Sequence, residues 1–209
     1  IQDIYSIFQG QRWAMKRIVD MYQLPAYGGI FNPLPVASTT SLAERRPNIV
    51  LVIQRRASRT LENQAEMNHI VDSVLVQNKK SWNGSDMYRF NVHLEDIPFT
   101  KQLGLFQNTA VLVVVHGQAA ANSVFLPQEL QSTLLLIMPE GWFGWRWLYA
   151  NMAMSSGVHV VMYRRRDDRD TDGYDGTGNN DLQNSQRDKN ITLSKHTFRA
   201  SFVSAIRLV

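Results

Sequence analysis

The sequence predicts an α/β fold built on a mostly parallel sheet, and three observations carry that prediction. Short, purely apolar runs at Ile49–Ile53, Val111–Val115 and Leu134–Met138 read as strands covered on both faces. The segments between them place apolar residues at helical spacing, so strands and helices alternate as in βαβ crossovers. The stretch from Thr109 to Pro127, TAVLVVVHGQAAANSVFLP, runs a buried strand into His116-Gly117, then small residues, then the start of a helix. An open α/β sheet presents backbone N–H groups to an anionic ligand in this way.

The elements follow in chain order. Ile4, Ile7, Phe8, Trp13, Met15, Ile18, Val19 and Met21 fall roughly at helical spacing, and Leu24-Pro25 stops the run. Residues 26–47 are rich in Gly, Pro, Ser and Thr and read as a connecting loop, so the sheet domain spans 48–209. After the strand at Ile49–Ile53, Met67, Ile70, Val71 and Val74 make the single apolar stripe of a helix. Lys79–Asp86 is a polar turn, Tyr88–Leu94 alternates as a strand, and Phe99–Phe106 is a short helix. A strand at Val111–Val115 leads to a helix around Ala120–Phe125. Then come a strand at Leu134–Met138, a helix at Trp145–Met154 and a last strand at His159–Tyr163. Residues 166–189 are full of Asp, Gly, Asn and Arg without apolar period and read as a mobile loop. Phe198, Phe202, Ala205 and Ile206 close the chain with an amphipathic helix.

Bulk properties narrow the classes. An apolar content of 44% over 209 residues supports a proper core. The net charge of +4 is spread among acidic residues apart from Arg164–Arg166, a mild bias toward anionic ligands and weak support for nucleic acid. The longest apolar runs fall far short of the roughly 18 residues of a membrane span. Without cysteine there are no disulfides or thiolate metal sites, which disfavours a secreted home. The tripeptides Asn83-Gly84-Ser85 and Asn190-Ile191-Thr192 are acceptor sequences for N-linked glycans and lean the other way. The chain starts at Ile1, not at a methionine, so it reads as an excerpt of a longer protein.

In a parallel sheet, ligands sit beyond the carboxyl ends of the strands. Two loops at that edge carry chemistry. After Ile53 the chain reads Gln54-Arg55-Arg56-Ala57-Ser58-Arg59-Thr60-Leu61-Glu62-Asn63, and arginines there can aim forks of N–H donors at a diphosphate. After Val115 come His116, Gly117 and Ala119–Ala121, which allow a close approach. The other histidines, His69, His93, His159 and His196, are scattered, so no His-based metal site is expected, and Asp167–Asp175 lacks a calcium-loop pattern. The signatures of a P-loop, a hydrolase nucleophile elbow and a dinucleotide-binding turn are absent. The aromatic run Gly141–Trp147 suits either stacking on a base or sugar or anchoring a helix to the core.

Arg55-x-x-x-Arg59-x-x-x-Asn63 after one strand, and His116-Gly117 after another with Asn122 and Phe125-Leu126-Pro127 downstream, resemble glycosyltransferase family 61. That family includes protein O-linked N-acetylglucosaminyltransferases and plant xylosyl- and arabinosyltransferases. Its Gly-Ala-Gly-Leu-Thr-Asn is replaced by Gly117-Gln118-Ala119-Ala120-Ala121-Asn122, which loses the second glycine and the threonine. The family's strand-opening aspartate is Ala110 in this chain, and the glycine before Val-His is Val114.

The resemblance implies a GT-B glycosyltransferase of which this chain is the C-terminal, Rossmann-like donor-binding half, with residues 1–47 as helical bridge and connecting loop. It implies an inverting, metal-independent transfer of N-acetylglucosamine, xylose or a similar sugar from a nucleotide-sugar, a UDP-sugar, to a hydroxyl of a protein or glycan. No cofactor is implied. Arg55, Arg59, Asn63, Gly117, Ala119 and Asn122 would hold the donor diphosphate, and His116 is the local candidate for the base. The expected partners are the donor, a glycan or glycoprotein acceptor and an upstream N-terminal domain, with no nucleic acid. The expected place is the Golgi or endoplasmic reticulum lumen, anchored through a preceding segment. A second reading, motivated by the altered Gln118–Ala121 loop, is a catalytically degenerate member serving as a binding or structural module. A third is a basic nucleic-acid-binding domain built on Arg164–Arg166 and Arg55–Arg59.

Overall fold

The computed structural model describes residues 47–78, 86–127, 132–139, 146–163 and 190–209. Five strands, β1 (Ile49–Ile53), β2 (Tyr88–Val92), β3 (Thr109–Val115), β4 (Thr133–Ile137) and β5 (His159–Tyr163), form one sheet in the order β2-β1-β3-β4-β5. Every pairing is parallel. β1, β3 and β4 are buried along their whole length, which is why they read as unbroken apolar runs instead of alternating ones. The edge strand β2 is open at one end, with Tyr88 and Phe90 exposed and Val92 buried.

Helices cover both faces. Val50, Val52, Val111, Val113 and Val115 pack against α1 (Gln64–Asn78) and the closing helix α4 (Lys195–Ile206). Ile49, Leu51, Ile53, Leu112 and Val114 point the other way, onto α2 (Phe99–Gln107) and α3 (Arg146–Ser155). Adjacent strand residues thus serve opposite cores, as the two-residue period requires. α4 is started by Ser194, whose side-chain oxygen accepts from the Thr197 N–H. Met67, Val71, Val74 and Leu75 are the buried residues of α1, so three of the four residues read as its stripe face the core and Ile70 lies at the margin.

The helix expected around Ala120–Phe125 is present, as a 3-10 helix over Gln118–Phe125. Its three-residue repeat superposes Ala120, Ser123 and, just beyond it, Leu126, and all three are fully buried. A tighter helix puts these buried residues in one narrow column, where an α-helix would spread them around its surface. In α2 Leu103 and Phe106 are buried, whereas Phe99 is exposed at the helix start and meets Phe125 edge-on. The helix read at 4–21, the loops at 26–46 and 166–189, residues 79–85 of the polar turn and residues 141–145 of the aromatic run lie outside the described residues.

Candidate active site

The strand order fixes where a ligand can enter. In the order β2-β1-β3-β4-β5 the chain leaves β1 toward one edge and β3 toward the other, so a crevice opens between their carboxyl ends. β1 and β3 are direct neighbours, which brings the arginine loop after Ile53 beside the glycine turn after Val115. A cavity of about 530 Å³ lies there, lined among others by Arg55, Arg56, Glu95, Ala119 and Asn122. A second of about 140 Å³ adjoins it, lined by Arg55, Arg59, Gln64 and His93. The larger lies within the roughly 300–1,000 Å³ of small-molecule sites.

Gly117 is the point on which the two loops meet. Its φ of +149° and ψ of −174° belong to a region open to glycine alone. A Cβ at Gly117 would lie 2.7 Å from Arg55 Nη1 and 3.1 Å from Arg59 Nη1. The absent side chain is therefore the space in which two guanidinium groups converge. Arg59 is 7% exposed, and its Nη1 donates to the His116 carbonyl at 2.8 Å. Its backbone φ of +56° is unusual for a residue with a side chain, and such strain concentrates at ligand-holding sites. Arg55 is half-buried and makes no hydrogen bond or ion pair with any of the described residues. Arg56 is different: it bonds Asp96 and lies 3.8 Å from Glu95, so local carboxylates offset its charge.

The remaining residues expected at the site divide by where their side chains go. Ala119 and Asn122 line the larger cavity, and Asn122 Nδ2 donates to the Ala119 carbonyl at 3.1 Å. The first backbone bond of the turn is from Ala120 N–H to Gly117 C=O at 2.8 Å, leaving the preceding amides outside the helical ladder. His116 is 2% exposed, its ring edge-on to Tyr149 with centroids 4.9 Å apart. Its carbonyl is the acceptor for the arginine loop. Asn63 turns away from the crevice: its Oδ1 accepts from Leu193 N–H at 3.0 Å and its Nδ2 donates to Leu193 C=O at 2.9 Å.

Sequence reasoning missed His93, Glu95 and Asp96. They follow Val92 at the carboxyl end of β2, beside β1, so the strand-end rule that picks out the other two loops would have found them. It also missed Asn190–Leu193, 130 residues from the loop they bond, for which no local signal exists.

Residues 33–134 match the model of the family described as Glycosyltransferase 61. The match supports membership of glycosyltransferase family 61. The match takes in both crevice loops and ends within β4. No curated protein matches the chain. The chain is thus assigned as a glycosyltransferase, and its Rossmann-like parallel sheet with helices on both faces is consistent with a GT-B type fold. Among the described residues no three His, Asp or Glu side chains are grouped to hold a metal ion, and no helix is long and apolar enough to cross a membrane.

Proposed function

We propose that the crevice holds the diphosphate of a nucleotide-sugar, a UDP-sugar, and that the chain transfers its sugar with inversion and without a metal to a hydroxyl of a protein or glycan. The observation that carries this reading is the convergence of Arg55 and Arg59 on Gly117 at the switch point of the sheet. As the bond from the sugar to the diphosphate breaks, negative charge gathers on the leaving oxygen. Two preorganised forks and the amides of the Gly117–Ala119 turn offset it where water is partly excluded. Arg55, with no carboxylate partner among the described residues, has its donors available for this task.

The acceptor hydroxyl must lose its proton as it attacks. His116 would have to leave its packed position against Tyr149 to take that proton, so in this reading it acts through its carbonyl, and the base comes from the facing N-terminal domain. Asn122 lines the nucleotide side of the crevice. A place in the Golgi or endoplasmic reticulum lumen belongs to the same proposal, supported by the acceptor tripeptides at Asn83 and Asn190.

Titration with UDP and UDP-sugars tests it. Saturable binding that is strongly weakened, though still measurable, in Arg55→Ala and in Arg59→Ala is the expected result, and absence of binding by the whole protein refutes it. Binding without turnover would favour the catalytically degenerate reading, which the loss of glycine and threonine at Gln118–Ala121 motivates.

A further inference from the structure

We propose that residues 190–193 form a latch that sets Arg59 in place, with Asn63 as the positioning residue through which it acts. The inference rests on the reading of Arg59 as a diphosphate ligand and deepens it. Leu61 and Ile191 form an isolated parallel bridge, and the hydrogen bonds around it run almost without a gap. Thr60 N–H donates to Asn190 Oδ1 at 3.3 Å, Ile191 N–H to Thr60 C=O at 2.8 Å, and Glu62 N–H to Ile191 C=O at 3.0 Å. The Thr192 hydroxyl donates to Glu62 Oε2 at 2.5 Å. Asn63 then takes both backbone groups of Leu193, extending the bridge with a side chain in place of a strand.

These bonds begin at the residue directly after Arg59. Arg59 holds a positive φ that an arginine adopts only when its surroundings impose it. Its own side chain supplies one fixed point, on the His116 carbonyl, and the latch supplies the other. The latch is itself anchored, because Ile191 and Leu193 are buried in the core formed with α1 and α4. Asn63, whose oxygen and nitrogen are both committed to Leu193, acts on the ligand through Arg59. Asn190 and Thr192, which spell an acceptor tripeptide in the sequence, are the two latch side chains that bond the arginine loop.

The test is a double-mutant cycle in the full chain, read by UDP affinity and by the NMR signal of the Arg59 guanidinium. Asn63→Ala is expected to weaken UDP binding about tenfold, the loss of roughly one charge-assisted hydrogen bond. Introduced into Arg59→Ala it should cost less than about twofold more, because the two residues act as one unit. The Arg59 signal, slow-exchanging in the wild type, should broaden or shift in Asn63→Ala. Thr192→Val, a change at an exposed position, should do the same to a smaller degree and covers the case in which Asn63→Ala fails to fold. Losses that add across the cycle, or an Arg59 signal unaltered in both variants, overturn the proposal. If the wild type binds no UDP, the diphosphate reading falls and the guanidinium signal alone decides whether the latch exists.

Discussion

Replacing Gly117 by alanine tests the crevice at its tightest point. The backbone there sits at φ +149° and ψ −174°, a region costing a residue with a Cβ about 1–3 kcal/mol. The steric part falls unevenly on the two arginines. Arg55 Nη1 would have to retreat by about 0.7 Å, from 2.7 Å to the 3.4 Å at which ordinary contact begins. A half-buried arginine tip can do so cheaply. Arg59 Nη1, 3.1 Å away and bonded to His116, has less freedom. The expected outcome is a destabilisation of about 1–3 kcal/mol, or roughly 2–4 °C in Tm for each kcal/mol in a domain of this size. UDP binding should weaken about ten- to a hundredfold, since a displaced fork gives up a charge-assisted bond of about 1.5–3 kcal/mol. Thermal unfolding and isothermal titration read the two effects separately. In Gly117→Ala combined with Arg55→Ala the clash with Arg55 is gone, so the stability loss that remains is the backbone part together with the contact on Arg59. A Gly117→Ala protein with wild-type Tm and wild-type affinity would refute the reasoning.

Two further outcomes concern the scaffold. Phe202 is fully buried on α4 and stacked on Phe198 with centroids 6.2 Å apart, so Phe202→Ala should cost about 3–5 kcal/mol. A urea midpoint lowered by less than about 1 kcal/mol equivalent, at unchanged slope, would mean that α4 does not close this core. Hydrogen bonds from Lys195, at 2.6 Å, and then from Asn63 hold the Glu66 carboxyl below its ordinary 4.5. Because the folded value is the lower one, this contribution to stability is present above the unfolded pKa and is lost as pH falls through the folded value. Both side chains are exposed, so the effect is small and screened by salt. An NMR titration of Lys195→Met should show Glu66 moving up toward 4.5, and an unmoved carboxyl would sink the assignment.

β1, β3 and β4 were legible because burial on both faces leaves a mark that needs no tertiary knowledge, and β5 because it is a short run with β-branched residues. Ile49–Ile53 and His159–Tyr163 agree with their expected bounds, and β3 and β4 differ only at their ends. The helix after Gly117 was legible but its 3-10 type was not, since a column of Ala120, Ser123 and Leu126 emerges only when the packing surface of β3 is known. At the site, Arg55, Arg59 and Gly117 were each visible as residue types placed after buried strands. Asn63 was visible too, but the direction of its side chain was not. That direction depends on Leu193, which reaches it through a contact between segments 130 residues apart.

By itself, then, the sequence determined the class of fold and set the arginine loop and the His116-Gly117 turn after buried strands, because local apolar patterning and strand ends are properties of short segments. Tertiary structure alone decided that β1 and β3 are neighbours, so that Arg55 and Arg59 meet over a glycine with no room for a Cβ. It also buried the His116 ring against Tyr149 and bound Asn63 to the 190–193 segment. Such outcomes rest on which non-local surfaces pack together, and the free energy of that packing is spread over the whole core, beyond the reach of any short run of residues.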